Sequence, residues 1–379
     1  MLKLGLIVNP VAGLGGAVGL KGTDGVVREA LARGAVPLSA SRAVRALGML
    51  EPLKEELLIV TCPGEMGERA ARELGFNCRV PEDSGNAAHL QTNEMPETTR
   101  EDTCRAAKKI AAAGVSLLLF AGGDGTARDV YESIGEQIPV VGIPTGVKIH
   151  SPVYAVSPER AGELARRFLR REITQLKTEE VLDIDEEAYR QGRVSTRLHG
   201  YLRVPDEARL MQGRKSGSPL ADESSQKAVG LRVVDEMEPE VIYLIGPGST
   251  TRQVMAALDL PATLLGVDIV CNRQLICSDA WEKDILEAIA GRECRLVITP
   301  IGGQGYLFGR GNQQLSPEVI RQAGPEHVLV LSTLSKLQAF QGRPLMVDTG
   351  DPDLDNELEG YYKVLTGYRE SIMYRVISP

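Results

Sequence analysis

FAGGDGTARDV, residues 120–130, ends one greasy run and opens another stretch with helical spacing. Ser116–Phe120 has the length and apolarity of a buried strand, and the residues through about Ile134 read as a helix. Between them stand Gly122, Gly123, Asp124, Gly125 and Thr126. A strand that passes through glycines into a helix gathers backbone N–H groups at the helix start. Without Cβ atoms the backbone lets a phosphate come close, and the helix end adds partial positive charge. Asp124 is the odd member, because a carboxylate repels phosphate. It suits a group that accepts a proton from a hydroxyl, binds two ribose hydroxyls or helps hold a magnesium ion. Asp-Gly is equally ordinary turn chemistry, and Asp an ordinary helix cap.

Working outward, the first 175 residues alternate strand-like and helix-like segments. Leu2–Val8 reads as a strand ending in NPVAGLGG, Gly25–Arg33 and Ser41–Leu50 as helices, and Leu57–Thr61 as a strand before the helix Glu68–Leu74. Thr98–Ala113 is a helix, with Thr98 as N-cap and Glu101 completing a capping box. Val140–Ile143 is a short strand and Pro158–Arg171 a helix. The rhythm is that of a doubly wound α/β domain on a mainly parallel sheet. It changes near residue 178, where Val181–Tyr189 and Val194–Val204 flank Gln191–Gly192 and predict a β-hairpin. Asp206–Lys227, rich in charge, Gly, Ser and Pro, reads as a mobile loop or linker. From Val241 a mixed α/β pattern returns. We therefore expect an N-terminal domain over 1–175 and a second mixed α/β domain over 176–379, entered through the hairpin.

The 379 residues exceed what one core usually supports. A net charge of −8 offers no broad attraction to nucleic acid or anionic membrane, and 5 Phe with 1 Trp give little for stacking bases. The six cysteines form no CxxC pair and read as free thiols of a reducing compartment. MLKLGLIVNP reads as a strand, with no cleavable-signal pattern. No apolar run approaches the ~20 residues of a membrane span, so a cytoplasmic protein without membrane insertion is expected.

GGDGT after a hydrophobic strand, NPVAGLGG after the first strand and GIPTGVKIHS after the next one together resemble the superfamily of NAD kinases and diacylglycerol-type lipid kinases. The resemblance is to its ATP-NAD kinase-like branch, which includes proteins associated with acetoin catabolism, and is strongest over residues 1 to about 175. It implies that Asp124 takes the proton from the adenosine ribose 2′-hydroxyl of NAD, while Gly122, Gly123, Gly125 and Thr126 face phosphate. Asn9 and Gly13 match the first-strand nucleotide loop. Thr145, Gly146 and Lys148 fall in the loop after the fourth strand, where Lys148 and His150 are candidate phosphate partners, His150 being also a candidate to protonate a leaving oxygen or simply a solvent-exposed histidine. The resemblance further implies ATP or polyphosphate as donor, Mg²⁺, an interdomain site and a homo-oligomer. The chain departs from the family in two places. EEVLDIDEEAY stands where NAD kinases carry a substrate-holding Asn-Glu, leaving Asp183 or Asp185 as substitutes. PTGVKIHSPVYAV stands where they carry a Gly-rich stretch ending in Phe.

In the second half, GPGST follows a strand and opens a helix, which makes Gly248, Ser249 and Thr250 a second candidate anion cradle. It resembles both the GSTAY-type element of NAD kinases and the GxGST loop of ribose-5-phosphate isomerases. TPIGGQGYLFGRGNQQLSP, residues 299–317, is the longest glycine-rich stretch. Gly302, Gly303, Gln304, Arg310, Asn312 and Gln313 are its candidate ligand contacts, since long ordered loops are usually functional. Asp268 and Asp279 flank another strand, either near a metal or as strand-end and cap residues. Other readings of the whole chain are a kinase for a lipid or small polyol hydroxyl, and a non-catalytic nucleotide or sugar-phosphate sensor.

Overall fold

A computed structural model describes residues 1–14, 18, 27–82, 98–145, 149–184, 196–207, 210–211, 221–263, 265–301 and 305–378. The chain forms two compact units, Met1–Leu14 with Val36–Arg214 and Gly15–Ala35 with Lys215–Pro379. The chain thus leaves the first unit early, and the helix α1 (Val27–Ala32), expected in the first domain, belongs to the second. Its neighbour Arg33 lies over the Trp281 ring of that unit at 5.8 Å.

The first unit is built on β1 (Leu2–Val8), β2 (Leu57–Thr61), β3 (Asn77–Arg79), β4 (Leu117–Gly122) and β5 (Val140–Pro144). All pair in parallel, in the order β3-β2-β1-β4-β5. A parallel sheet is covered on both faces, so its central strands read as continuous apolar runs; every residue of LLLFAG in β4 is buried. The covering helices are α2 (Ser39–Gly48), α3 (Glu68–Glu73), α4 (Arg100–Ala112), α5 (Asp124–Ile134) and α6 (Pro158–Leu169). α6 closes on α2 through Gly162, where a Cβ would stand 1.9 Å from the Ala46 carbonyl oxygen. The cap of α4 lies one residue beyond its expected place. Thr99 is the N-cap and Asp102 completes the box, its carboxylate accepting from the Thr99 backbone N–H at 2.9 Å. Asp102 fits as well as Glu101 because either carboxylate reaches back one turn.

The predicted hairpin forms from β6 (Leu176–Ile184) and β7 (Thr196–Pro205), paired antiparallel. Its expected turn at Gln191–Gly192, and Asp185 with it, lies outside the described residues. The sequence placed this hairpin with the second domain. Its buried Val181, Leu202 and Val204 instead join the core of the first unit, and Gly200 lies flat against Tyr131 of α5.

Part of the expected loop at Asp206–Lys227 is helix, because α7 spans Ala221–Asp235. Its polar opening hid it, yet Val229 and Val233 are buried and Gly230 packs on the Gln253 backbone. The second unit's other helices are α8 (Arg252–Ala257), α9 (Glu282–Ile289), α10 (Pro317–Ala323), α11 (Leu334–Gln338) and α12 (Pro352–Glu357). They pack with a nine-stranded mixed sheet. In it β8 (Ile242–Ile245), β11 (Cys294–Ile298), β13 (Val328–Leu331) and β15 (Gly360–Leu365) run parallel to one another. β9 (Val267–Cys271) and β10 (Gln274–Ala280) form an antiparallel hairpin on one flank. On the other flank β16 (Ser371–Ile377) runs antiparallel to β15 and carries β14 (Leu345–Val347) and β12 (Tyr306–Phe308).

All six cysteines are free. Burial at the end of β2 pushes the Cys62 thiol up to about 12, so it stays protonated near neutrality. In native protein at pH 8 a thiol reagent is expected to leave Cys62 unmodified, with labelling appearing only on unfolding. Peptide mapping that found Cys62 labelled in the folded chain would contradict its burial.

Candidate active site at the carboxyl edge of the first sheet

From β1 the chain builds outward to β2 and β3; from β4 it builds the other way to β5. The connections after β1 and β4 therefore part in opposite directions, and in doubly wound sheets ligands bind in the crevice this opens at the strand carboxyl ends. NPVAG follows β1 there and GGDGT follows β4. The two loops are joined: Asn9 Nδ2 donates to Thr126 Oγ1 at 3.1 Å, and the Asn9 backbone N–H donates to the Ala121 carbonyl at 2.9 Å. Asn9 Oδ1 also accepts from the Val11 N–H at 3.3 Å, folding its own loop, in which Gly13 takes a φ of 81°.

GGDGT is less of a loop than its composition suggests. β4 runs through Gly122, Gly123 is the N-cap and α5 begins at Asp124. None of Gly122, Gly123 and Gly125 needs the left-handed region, so turn geometry does not explain them. Gly122 is required sterically, because a Cβ there would sit 2.3 Å from Thr126 Oγ1. At Gly123 a Cβ would meet nothing within 4 Å, and at Gly125 only an Arg128 nitrogen at 3.7 Å. The protein's own packing does not ask for those two to be bare, whereas close approach of a ligand to the backbone does. Gly122→Ala is expected to push Thr126 aside, break its bond to Asn9 and cost about 1–3 kcal/mol. An unchanged denaturation midpoint would show that this packing has slack.

Asp124 is buried, with 4% of its side chain exposed. Its Oδ2 accepts from the His150 backbone N–H at 2.7 Å and lies 3.1 Å from His150 Nδ1, while Oδ1 accepts from the Ser151 N–H at 3.0 Å. His150, which sequence alone leaves as plausibly a surface histidine, is itself buried. The apolar residues after it explain this, since Val153, Tyr154 and Ala155 are fully buried and draw the loop onto the sheet. Ser151 ties the same loop to β6, its Oγ donating to the Leu182 carbonyl at 2.8 Å and accepting from the Leu182 N–H at 2.9 Å. Tyr154 packs edge-on to Phe120 with centroids 5.3 Å apart and donates its hydroxyl to the Gly123 carbonyl. Burial and then the Asp124 charge push the Tyr154 phenol well above its ordinary value, so it remains a donor.

Asp183, a proposed substitute for the absent Asn-Glu motif, accepts from Arg128 Nη1 at 2.7 Å. Arg128 also meets Asp129 at 3.3 Å, and Arg100 lies 3.0 Å from that carboxylate. Burial raises Asp129 against the pull of the two guanidiniums. Thr145 is buried, and its Oγ1 has no hydrogen-bond partner among the described residues. Gly146 and Lys148 lie outside the described residues.

In the second unit the candidates divide. Gly248 takes a φ of 140° and a Cβ on it would strike Thr299, Ser249 is exposed, and Thr250 is fully buried with an unpartnered Oγ1. The glycine-rich stretch is not structureless, since β12 runs through it. Arg310 turns inward, 1% exposed, stacked 4.3 Å from the Tyr306 ring centroid and 3.8 Å from Asp348 Oδ2. Asn312 Nδ2 donates to the Leu307 carbonyl at 2.7 Å and Gln313 Nε2 to Gly309 at 3.2 Å, both buried. Gly302, Gly303 and Gln304 fall outside the described residues. Asp268 holds its strand ends together, accepting from Thr263 at 2.6 Å and from the Asp279 N–H at 3.0 Å.

Among the described residues no group of three or more His, Cys, Asp or Glu side chains is placed to hold a metal ion. Magnesium binds largely through water and substrate phosphates with one or two carboxylates. The residues present therefore fit an ion carried in on a nucleotide better than one caged by protein. Among the described residues no helix is long and apolar enough to cross a membrane.

Two family models match the chain: ATP-NAD kinase N-terminal domain over residues 4–173 and ATP-NAD kinase C-terminal domain over residues 238–376. Acetoin catabolism protein X of Cupriavidus necator is 37% identical over 89 residues, which cover 23% of this chain and 24% of that relative. The chain thus aligns with about a quarter of the length of the curated relative it matches. A solved structure from Bacillus anthracis str. Sterne, assigned as a diacylglycerol kinase, aligns with a TM-score of 0.25 at 14% identity over 48% of this chain and 46% of the other.

Proposed function

The chain belongs to the ATP-NAD kinase family, and we propose that it is a phosphotransferase that moves the terminal phosphoryl group of ATP, or of polyphosphate, to the 2′-hydroxyl of NAD. The observation that carries this reading is the buried Asp124–His150 pair beside the bare backbone of Gly123 and Gly125, at the point where the sheet's connections part. Backbone without side chains suits phosphate, and a proton-accepting pair next to it suits a hydroxyl nucleophile. Phosphoryl transfer asks little more of a protein than alignment and charge neutralisation. Magnesium bound to the donor phosphates would supply much of that neutralisation, and no carboxylate of this chain is assigned to it. The family resemblance also implies a homo-oligomer as the working form, which light scattering on purified protein checks.

A second reading, nucleotide binding without transfer, draws on the same hydrogen bonds, because they already engage both oxygens of Asp124. The two part in one assay. Full-length protein is incubated with ATP, Mg²⁺ and, separately, NAD, NADH, diacylglycerol and small polyols, beside an Asp124→Asn control. A phosphorylated dinucleotide formed by the wild type and not by the variant supports the kinase reading. Product only from a lipid or polyol moves the acceptor, and tight nucleotide binding with no product anywhere removes transfer altogether.

A further inference from the structure

We propose that the second unit carries a ligand site of its own, for a small phosphate monoester, where its parallel strands β8 and β11 end. This goes beyond the kinase reading and involves none of the residues that carry it. After β8 the chain leaves toward β9; after β11 it turns the opposite way, toward β13 and the far flank of the sheet. Connections that part in this way open a crevice at the strand carboxyl ends. Lys336 of α11 reaches across to the end of β11, its Nζ donating to Thr299 Oγ1 at 3.2 Å. Thr299 in turn stands against Gly248 in the loop after β8, where a Cβ would lie 2.4 Å from Thr299 Cγ2 and 3.4 Å from Thr251 Oγ1. In the same loop Thr250 is fully buried, and its Oγ1 has no hydrogen-bond partner among the described residues.

A buried hydroxyl with no partner is a cost to the folded chain, and a ligand oxygen removes that cost. Thr299 adds a second donor, because its Oγ1 accepts from Lys336 and its own proton has no acceptor among the described residues. Gly248 counts for less, since its φ of 140° and the contact with Thr299 already demand glycine. An ammonium and two uncommitted hydroxyl protons suit the oxygens of a phosphate group. The rim is open to solvent, with Ser249 and Ser335 exposed and Lys336 half-buried. Ser335, next to Lys336, donates to Asp222 Oδ1. The other oxygen of this buried carboxylate has no hydrogen-bond partner among the described residues. A carboxylate beside the site repels a second phosphate and accepts from a hydroxyl, so a phosphorylated polyol or sugar fits better than a di- or triphosphate.

Calorimetric titration of the full-length chain with glycerol 3-phosphate, and separately with inorganic phosphate, tests the assignment. Glycerol 3-phosphate is expected to bind, and Lys336→Met to weaken it at least about tenfold. Inorganic phosphate that binds as tightly as the monoester overturns the choice of ligand class. Thr250→Val separates a ligand contact from a structural residue. It keeps the shape and deletes the orphan hydroxyl, so the chain alone should unfold at the same or a higher urea concentration, while Kd for glycerol 3-phosphate rises about five- to tenfold. A structural role predicts the reverse, lost stability with unchanged binding. Gly123→Val obstructs the backbone at the first sheet and should leave the Lys336-dependent binding intact. A wild type that does not bind the monoester overturns the proposal, as does wild-type affinity in either Lys336→Met or Thr250→Val. Loss of the Lys336-dependent binding in Gly123→Val overturns it too, because the second unit would then have no site of its own. None of these titrations depends on phosphoryl transfer, so the kinase reading and this site fail separately.

Discussion

Asp124→Ala is expected to stop phosphoryl transfer and to cost roughly 3 kcal/mol or more of stability, the sum of several buried donors left without an acceptor at about 1–3 kcal/mol each. Those donors are the backbone N–H groups of His150 and Ser151 and the ring of His150, all on residues that are themselves buried. The damage should spread beyond the gap, because Ser151 also fastens the loop to β6 through Leu182. Asp124→Asn keeps the shape and one acceptor oxygen, so it should lose less stability while still losing most activity. Urea denaturation of the three chains beside initial rates measures both quantities. An Asp124→Ala chain as stable as the wild type would show that the loop is held by other means, and native rates would remove this carboxylate from the mechanism.

The second large effect belongs to the other unit. Arg310 is the largest fully buried side chain of the molecule's described residues, and it lies between the Tyr306 ring and the fully buried Asp348. Removing one partner of a buried ion pair strands the other charge, a loss of about 3–5 kcal/mol. Arg310→Ala adds a cavity to that cost. Arg310→Met with Asp348→Leu removes both charges and fills the volume, and should recover most of the stability. If the single and double variants unfold at the same urea concentration, the charge pair is not what holds this corner. The fold shows how firmly the corner is set: Gly309 lies in the left-handed region at φ 85°, with the Asp348 carbonyl oxygen where a Cβ would stand. In this picture Arg310, Asn312 and Gln313 support β12 and its neighbours, and the glycines beside them serve close packing.

The first unit was largely legible because its signals are local. β1, β2, β4 and β5 are short apolar runs with helical periodicity between them, and their order follows from right-handed crossovers. What escaped the sequence depends on contacts between distant residues. Val27–Ala32 has the pattern of a surface helix anywhere, and nothing in it says which core it joins. α7 begins with the polar ADESSQK, of which Asp222 and Gln226 are nonetheless buried, and its apolar contacts come only with the later valines. The β9–β10 hairpin turns at Asn272 and Arg273, both at positive φ, with no glycine to announce the turn. At the site, GGDGT marked the strand-to-helix junction, with α5 beginning at Asp124. The reason for its glycines lies in Thr126 and in open space, not in backbone conformation. His150 carried no spacing to link it with a residue 26 positions earlier; the buried VYA that follows it was the available hint.

The destination of the terminal phosphorus decides what this protein does. Phosphorus NMR on full-length protein with ATP, Mg²⁺ and NAD follows the terminal phosphoryl group directly and separates a 2′-phosphate from other monoesters. A growing 2′-phosphate resonance on the dinucleotide, matched by ADP and absent with Asp124→Asn, is the expected result. ATP that stays intact beside NAD, or phosphate released only to water, would contradict it.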